Sequence, residues 1–424
     1  MCWETRFISY LCYLETELPP MSILLTGADG YVGWPTALRI ASRTDDRVVL
    51  VDDFSRREWV EEIGSVSATP VADIEARLDA AEAVHGLSNL SFVEGDLTEK
   101  EFTDQLLEVH EPDAIVHAAA QPSAPYSQIN GERANFTQRN NLQATRNLLW
   151  GLEEHGLTDT HFIETTTTGV YGAPEFPIPE GGATMENQDE RGEVPFPAMA
   201  GSWYHLTKSH DAANMRLANK QFDVPISDVR TAIVYGSETE ETRADDRLKT
   251  RFDFDYYFGT VAHRFCAQAV AGYPVTVYGK GAQRKPFISL EDAVEGLAEL
   301  ALMAPDEREA DHVVYNQVTR AISIVEIATT IEQVGDDHGL HVEVEHVENP
   351  RDEDESHKME IENTRYMGLI DEQAQSFEAG VDDILDTLTR YQKTITAYED
   401  RFLPDVLENR QQSVDGEAAT ATDD

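Results

Sequence analysis

The sequence predicts an α/β protein: a doubly wound parallel sheet with a smaller C-terminal lobe. A short apolar run, Ile23 to Leu25, leads directly into Gly27-x-x-Gly30-x-x-Gly33 and a helix-like stretch. A second apolar run ends at Asp52, and further apolar runs alternate with helical patterns as far as residue 236. Strands that alternate with helices in this way favour a parallel sheet covered on both faces.

The first unit has the order strand, glycine turn, helix, strand, acid, which is typical of a Rossmann-type dinucleotide-binding fold. Gly27 permits a tight turn, Gly30 lets the backbone approach a pyrophosphate, and Gly33 lets helix and strand pack closely. The free N–H groups at the helix N-terminus can then hold the phosphates. Asp52 is placed to bind the adenosine ribose and to repel a 2′-phosphate, which favours NAD over NADP. Arg56 and Arg57 could instead face a 2′-phosphate or lie in a solvated loop.

Other positions at the ends of predicted strands complete the expected cofactor site, because ligands of open parallel sheets lie at that edge. The predicted cofactor-binding residues outside the glycines and Asp52 are Tyr31, Asp96, Leu97, Ala118, Asn141, Tyr204 and Lys208. Asp96 and Leu97 follow the third strand, where we expect the adenine to be covered.

Charge and cysteine content limit the classes of function. The 79 acidic residues exceed the 33 basic ones, which gives a formal net charge of −46. We expect a halophilic protein, since concentrated salt screens the resulting self-repulsion. This charge argues against nucleic-acid binding, and no apolar run reaches transmembrane length. Three scattered cysteines, Cys2, Cys12 and Cys266, indicate a reducing cytoplasm rather than a disulfide framework or a metal site.

The chain divides into a short extension, two lobes and a tail. Residues 1–20 are expected to be a flexible extension or an over-called start, and residues 406–424 an acidic disordered tail. Residues 21–236, completed by about 288–317, are predicted to form the NAD-binding domain. The predicted nucleotide-sugar-binding lobe takes residues 237–287 and 318–405. Residues 173–201 are expected to be a long loop over the site.

The predicted catalytic residues follow the fifth strand. Tyr204 and Lys208 are four apart, so on a helix they share one face. A lysine ammonium is expected to lower the pKa of the phenol and to hold the nicotinamide ribose, which makes Tyr204 a base for a substrate hydroxyl. Thr167, at the end of the threonine-rich strand, can hydrogen-bond the same substrate oxygen.

These residues resemble the extended short-chain dehydrogenase/reductases that act on nucleotide sugars. Further motifs, covering about residues 21–384, resemble the UDP-sulfoquinovose synthase family. They are Gly30-Tyr-Val-Gly-Trp34, Ser123-Ala-Pro-Tyr-Ser127, Thr137-Gln-x-Asn-Asn141, Tyr204-His-Leu-Thr-Lys208, Phe258-Gly-Thr-x-x-x-Arg-Phe-Cys266, Thr276-Val-Tyr-Gly-Lys-Gly281, Asn316-Gln317 and Asn349-Pro-Arg351.

The resemblance implies a reaction in which UDP-glucose and sulfite become UDP-sulfoquinovose through a 4-keto-5-ene intermediate, with NAD recycled in each turnover. It implies His205 as a further catalytic residue and a homodimer as the assembly. No metal is implied. The resemblance also implies that the substrate-binding residues include Gln121, Tyr126, Arg264, Arg284, Lys285 and Arg351.

One loop departs from this pattern. Where the family has glutamate and arginine around Gln121, this chain has Ala120 and Pro122. An NAD-dependent nucleotide-sugar 4-epimerase of the UDP-glucose/galactose type, which shares the first oxidation, therefore stays open as the alternative. Simple 4,6-dehydration is disfavoured, because Thr168 and Gly169 stand where the related dehydratases have an acidic pair.

Overall fold

The computed structural model describes residues 21–187, 190–196, 198–349, 359–370 and 374–404. The predicted extension at 1–20, the predicted tail at 406–424 and Arg351 lie outside the described residues. The strands within this part of the chain are β1 Ser22–Thr26, β2 Arg47–Asp52, β3 Leu90–Glu94, β4 Ala114–His117, β5 His161–Thr167, β6 Gly182–Asn187, β7 Glu190–Pro195, β8 Ile226–Thr231, β9 Ile233–Tyr235, β10 Val275–Tyr278, β11 Arg284–Ser289, β12 His312–Gln317, β13 Arg320–Ser323 and β14 Val344–Val347.

The α-helices of the same residues vary from a single turn to 24 residues in length. They are α1 Gly33–Arg43, α2 Ser55–Glu62, α3 Ile74–His85, α4 Lys100–His110, α5 Ala124–Ser127, α6 Gly131–Glu154, α7 Trp203–Phe222, α8 Glu240–Arg243, α9 Val261–Ala271, α10 Leu290–Leu302, α11 Ile324–Asp337, α12 Thr364–Met367, α13 Phe377–Thr389 and α14 Gln392–Thr396. Among the helices described, none is long and apolar enough to span a membrane.

Seven parallel strands form the large sheet, in the order β12-β8-β5-β4-β1-β2-β3. From β1 the chain runs outward through β2 and β3, then crosses back to β4 on the other side. The strand order therefore reverses between β1 and β4, where the loops at the carboxyl ends of the strands diverge and leave a crevice. The predicted α/β fold is confirmed.

Both faces of the sheet are buried, as a parallel sheet requires. Alternate residues of β1 and β2 enter opposite clusters: Leu25 and Leu50 pack with α1 and α10, whereas Leu24 and Val49 pack with α4 and α6. This burial on both sides explains why the strands are continuous apolar runs rather than alternating patterns.

The C-terminal part has its own apolar cluster, centred on α9, α11 and α13. Here β9 and β13 flank β11, and β10 pairs with β14. The chain that follows α7 forms two strands, which are divided after Thr231. Strand β8 stays in the large sheet, whereas β9 pairs with β11 and leads the chain out of it.

The expected long loop at 173–201 contains an antiparallel hairpin, β6 paired with β7. The β7 residues are mostly exposed, so the hairpin depends on backbone pairing and not on an apolar face. That lack of an apolar face removes the alternation by which a strand is recognised in a sequence.

The acidic composition leads to a prediction about stability. Because the net charge is −46, repulsion among carboxylates should destabilise the fold in dilute buffer. Raising KCl from about 0.1 M to about 1 M shortens the Debye length from ~10 Å to ~3 Å. We therefore expect Tm, measured by circular dichroism, to rise across this range. A Tm that falls or stays constant with added salt would contradict the halophilic interpretation.

Candidate active site

A cavity of about 1060 Å³ opens at the carboxyl edge of the large sheet, over the point where the strand order reverses. Its wall combines the glycine turn, the ends of β4 and β5, the first turn of α7 and the segment from Tyr256 to Phe265. Small-molecule pockets usually measure roughly 300–1,000 Å³. The cavity is thus large enough for a dinucleotide beside a second ligand.

The glycine turn is shaped for close approach of a phosphate. Gly27 has φ +77°, and a Cβ built there would lie 2.6 Å from the backbone nitrogen of Ala119. A Cβ on Gly33 would overlap the carbonyl oxygen of Gly27. Gly27, Gly30 and Gly33 all line the cavity, and α1 begins at Gly33. This cradle therefore fits the pyrophosphate of NAD, which would lie at the N-terminus of an eleven-residue helix.

Asp52 lies on the cavity wall at the end of β2. Its carboxylate accepts hydrogen bonds from the backbone N–H groups of Asp29 (2.9 Å) and Phe54 (2.7 Å). Burial raises its pKa to about 6, partly offset by these two bonds. An acid at this position fits a ribose and disfavours a 2′-phosphate.

Neither arginine of the following segment is a solvated loop residue, contrary to one expectation. Arg57 pairs with Asp29 at 2.6 Å, and Arg56 pairs with Asp253 at 2.6 Å. The Arg56 guanidinium also lies 3.7 Å from the ring centre of Phe258. Each charge is thus already partnered by an acid, which supports the preference for NAD.

Most of the other predicted cofactor residues also lie on the wall: Tyr31, Asp96, Leu97 and Ala118. The Tyr31 hydroxyl donates to the carbonyl of Gly236 at 2.7 Å. Asn141 differs from expectation, because it is buried behind the wall. Its amide bonds both backbone groups of Gln121 (2.8 and 3.1 Å) and the hydroxyl of Thr207 (3.0 Å), so it joins the loop after β4 to α7.

The three predicted catalytic side chains line the same cavity: Thr167, Tyr204 and Lys208. Ser202 caps α7 by accepting from the N–H of His205 at 3.0 Å, so Tyr204 falls in the first turn and Lys208 one turn later. Thr167 ends β5 and accepts from the N–H of Gly169 at 3.1 Å. Its hydroxyl hydrogen thus remains available for a substrate oxygen.

The expected lowering of the Tyr204 pKa is not found. Burial raises the pKa of this phenol above its ordinary value, and Lys208 offsets the increase only in part. The Lys208 ammonium is shared with two acids that sequence reasoning missed, Glu164 at 2.9 Å and Asp211 at 3.7 Å. A charged residue inside the apolar run of β5 was the one available signal for Glu164.

His205 follows Tyr204 on the cavity wall, and their ring centres lie 5.4 Å apart. A Cβ on Gly169 would overlap the His205 ring, so the glycine after the threonine-rich strand leaves the space that this histidine occupies. The imidazole therefore lies beside both the phenol and the end of β5.

Only part of the predicted substrate-binding set reaches the cavity. Arg264 and Lys285 line it, whereas Arg284 instead pairs with Glu326 at 2.9 Å. Gln121 and Tyr126 are buried behind the wall. The Tyr126 hydroxyl bonds Glu62 at 3.1 Å, and the Gln121 side chain bonds backbone groups of Ser123. The expectation that these three contact substrate is thus not supported, since their polar groups bond the protein itself.

The two loop positions that differ from the family pattern lie in the wall of the cavity. Both Ala120 and Pro122 line the cavity, so the missing glutamate and arginine would have bordered the space that a ligand occupies. Within the described ranges, no group of three or more metal-ligating side chains occurs.

Comparisons with known proteins agree with this site. Residues 23–316 match the NAD dependent epimerase/dehydratase family. The chain is 38% identical to UDP-sulfoquinovose synthase of Sulfolobus acidocaldarius, over 80% of this chain and 84% of that protein. It is 37% identical to the chloroplastic UDP-sulfoquinovose synthase of Spinacia oleracea, over 82% of this chain and 71% of that protein.

Solved structures show the same fold at lower identity. UDP-glucuronic acid 4-epimerase from Bacillus cereus, crystallised with UDP-glucuronic acid and NAD, has a TM-score of 0.65 at 20% identity and covers 87% of this chain and 99% of that one. UDP-glucose-4-epimerase from Stenotrophomonas maltophila, with bound NAD, has a TM-score of 0.67 at 18% identity and covers 89% and 99%. Taken with the glycine cradle and the Tyr204–Lys208 pair, the matches show that this chain belongs to the NAD dependent epimerase/dehydratase family and, within it, to the UDP-sulfoquinovose synthases.

Proposed function

We propose that this enzyme converts UDP-glucose and sulfite to UDP-sulfoquinovose and water, with NAD as a bound cofactor. Two observations support the proposal. The chain resembles two UDP-sulfoquinovose synthases over about four fifths of its length, and it brings Thr167, Tyr204, His205 and Lys208 to one cavity.

The glycine cradle would hold the pyrophosphate, Asp52 the adenosine ribose and Lys208 the nicotinamide ribose. When bound, NAD supplies an acceptor for the C4 hydride of the sugar and later returns that hydride. Tyr204 accepts the proton of the sugar 4-hydroxyl, and Thr167 donates a hydrogen bond that orients the same oxygen. The high pKa of the free phenol makes it a strong base once it is ionised.

A ketone at C4 acidifies the hydrogen at C5, so that water can leave across C5 and C6. His205 borders the cavity beside Tyr204 and is our candidate for carrying the C5 proton and protonating the departing 6-hydroxyl. Sulfite then adds at C6 of the unsaturated ketone and C5 regains a proton. Arg264 and Lys285 are the described cations that we propose for the diphosphate, with Arg351 as a further candidate from the resemblance.

The role of His205 can be tested separately from oxidation. We expect His205→Gln to slow formation of the sulfonated product by about 10²-fold or more, the usual contribution of a general acid–base group. Reduction of the bound cofactor by UDP-glucose, followed by absorbance, should be retained. His341→Gln, at a fully solvated histidine, is the matched control and should change neither rate. Equal loss of both rates in His205→Gln would contradict the assignment to the later steps.

The alternative, a 4-epimerase, is favoured by the uncharged loop at Ala120 and Pro122. The two functions separate when the purified protein is incubated in high salt with UDP-glucose, with and without sulfite, and the products are followed by mass spectrometry. We expect a sulfite-dependent product in which sulfonate replaces the 6-hydroxyl. UDP-galactose formed equally with and without sulfite would identify an epimerase and refute the proposal.

We also propose that the enzyme is a homodimer. Helices α6 and α7 pack together and expose Trp150 (50%), Trp203 (50%) and Leu217 (51%), apolar side chains that a second copy would cover. Trp150→Glu is expected to shift the mass measured by light scattering from dimer to monomer.

We also propose that the enzyme works in the cytoplasm, in keeping with its few cysteines.

A further inference from the structure

Beneath the catalytic pair lies a buried group of three charged side chains. Glu164 projects from β5, while Lys208 and Asp211 belong to α7. The side chains of both acids are fully buried, and that of Lys208 is 3% exposed. Lys208 Nζ lies 2.9 Å from Glu164 Oε1 and 3.7 Å from Asp211 Oδ2. One ammonium is thus shared by two carboxyl groups.

The hydrogen bonding of the two acids is incomplete if both are ionised. Oε2 of Glu164 and both oxygens of Asp211 lack a hydrogen bond of normal geometry to any described N–H or O–H group, although the Thr145 hydroxyl lies close to Asp211. Buried polar atoms are normally paired. Since the two carboxyl groups are themselves close enough to hydrogen-bond, a proton on one of them supplies the missing donor to the other.

The charged neighbours of this group do not offset a second carboxylate. On β4, His117 is buried and its pKa is lowered to about 3 by burial, so it is neutral; Thr145 of α6 offers only a hydroxyl. On β8, Asp228 adds a negative charge, already paired with Arg230 at 3.1 Å. Tyr204 is neutral, and His210 of α7 is exposed to solvent.

With both acids ionised, this group would carry a net negative charge at a site where all three side chains are almost fully buried. Burial accordingly raises the pKa of Glu164 and of Asp211. One proton shared between them makes the group neutral, with Lys208 charged, one carboxylate and one carboxylic acid. Burial of an uncompensated charge is strongly unfavourable, so the neutral arrangement is favoured.

We propose that Glu164 and Asp211 share one proton beside Lys208, and that binding of the oxidised cofactor expels this proton to solvent. The second part rests on the proposed function, in which Lys208 holds the nicotinamide ribose. The oxidised nicotinamide ring carries a positive charge that the reduced ring lacks. A positive charge nearby favours the ionised form of a carboxyl group. The two acids act through Lys208 and are positioning residues rather than catalytic ones.

Infrared spectroscopy tests the shared proton directly. Wild-type protein at neutral to mildly alkaline pH should show the carbonyl stretch of a protonated carboxyl group, and Glu164→Gln and Asp211→Asn should each lose it. Asp255→Asn is the matched control: Asp255 is equally buried, but its pKa of about 6 leaves it ionised at this pH. Absence of the band in the wild type, or its persistence in both variants, would overturn the proposal.

The coupling is tested by the affinity for each form of the cofactor as a function of pH. If binding expels one proton, the affinity for NAD⁺ should rise by about tenfold for each unit of increase in pH, as long as the pH stays below the pKa of the pair. NADH should lack this dependence, and Glu164→Gln should abolish it for NAD⁺. Binding of NAD⁺ without pH dependence would overturn the coupling but leave the proposed function intact. Failure of NAD⁺ to bind at all would overturn both.

Discussion

Tyr204→Phe is expected to abolish turnover while NAD stays bound. The phenol is the described group best placed to take the proton of a substrate hydroxyl, since it lines the cavity one helical turn before Lys208. Loss of a general base costs roughly 10²–10⁴-fold. Because loss of water and addition of sulfite both require the ketone that the first oxidation forms, the rate of formation of the sulfonated product should fall by at least the upper part of this range. Mass spectrometry measures the product, and the absorbance of released cofactor measures NAD.

The pH profile makes this prediction sharper. Burial raises the pKa of Tyr204, so the ionised fraction in the free enzyme should grow as the pH rises above neutral. We expect kcat/KM of the wild type to increase with pH over this range, and the residual activity of Tyr204→Phe to lose that dependence. Tyr398→Phe removes a phenol in the C-terminal cluster and serves as the matched control. Near wild-type turnover in Tyr204→Phe would contradict the assignment.

The parts of the site that sequence analysis predicted are those fixed by local geometry. The glycine turn, the strand-end Asp52 and the Tyr204–Lys208 spacing each depend on a few consecutive residues. The parts it missed are pairs distant in the chain. Lys208 meets Glu164 across 44 residues, and Arg56 meets Asp253 across 197. No periodicity in a single sequence indicates such pairs, because only the packing of β5 on α7, or of the C-terminal part on α2, creates them.

The direction in which each side chain points was the second feature of the site that the sequence did not predict. The loop after β4 lies at the ligand edge of the sheet, and Ala120 and Pro122 line the cavity. Gln121, between them, turns away and bonds Ser123, while Asn141 fastens the backbone of that loop. Position along an irregular loop does not determine which residue faces the ligand. The prediction that the Tyr204 pKa is lowered was wrong for a similar reason, since the extent of burial is a property of the assembled fold.

Asp29→Asn is expected to give the largest loss of stability. Asp29 is fully buried within the glycine turn and pairs with Arg57 at 2.6 Å and with Arg77 at 3.0 Å. The Arg77 side chain is fully buried as well. Its guanidinium lies 4.7 Å from the ring centre of Trp34 and donates to the carbonyl of Lys249 at 2.8 Å. This one carboxylate therefore joins the cofactor turn to α2 and α3 and, through Arg77, to the segment before α9.

Removing the carboxylate leaves Arg77 as a buried charge without an acid to offset it. We therefore expect the free energy of unfolding to fall by about 3–5 kcal/mol. Urea denaturation followed by circular dichroism at constant high salt measures the loss without changing ionic strength. The matched control is Asp386→Asn, which breaks an exposed pair between Asp386 of α13 and Arg390 and should cost no more than about 0.5 kcal/mol.

Asp29→Asn has a second expected effect, on cofactor preference, because Arg57, half-exposed beside Asp52, loses its partner and becomes able to attract a 2′-phosphate. The ratio of NADP to NAD affinity should therefore rise. Equal stability of the two variants would show that Asp29 does not stabilise the buried arginine, and an unchanged cofactor ratio would show that Asp52 alone determines the preference.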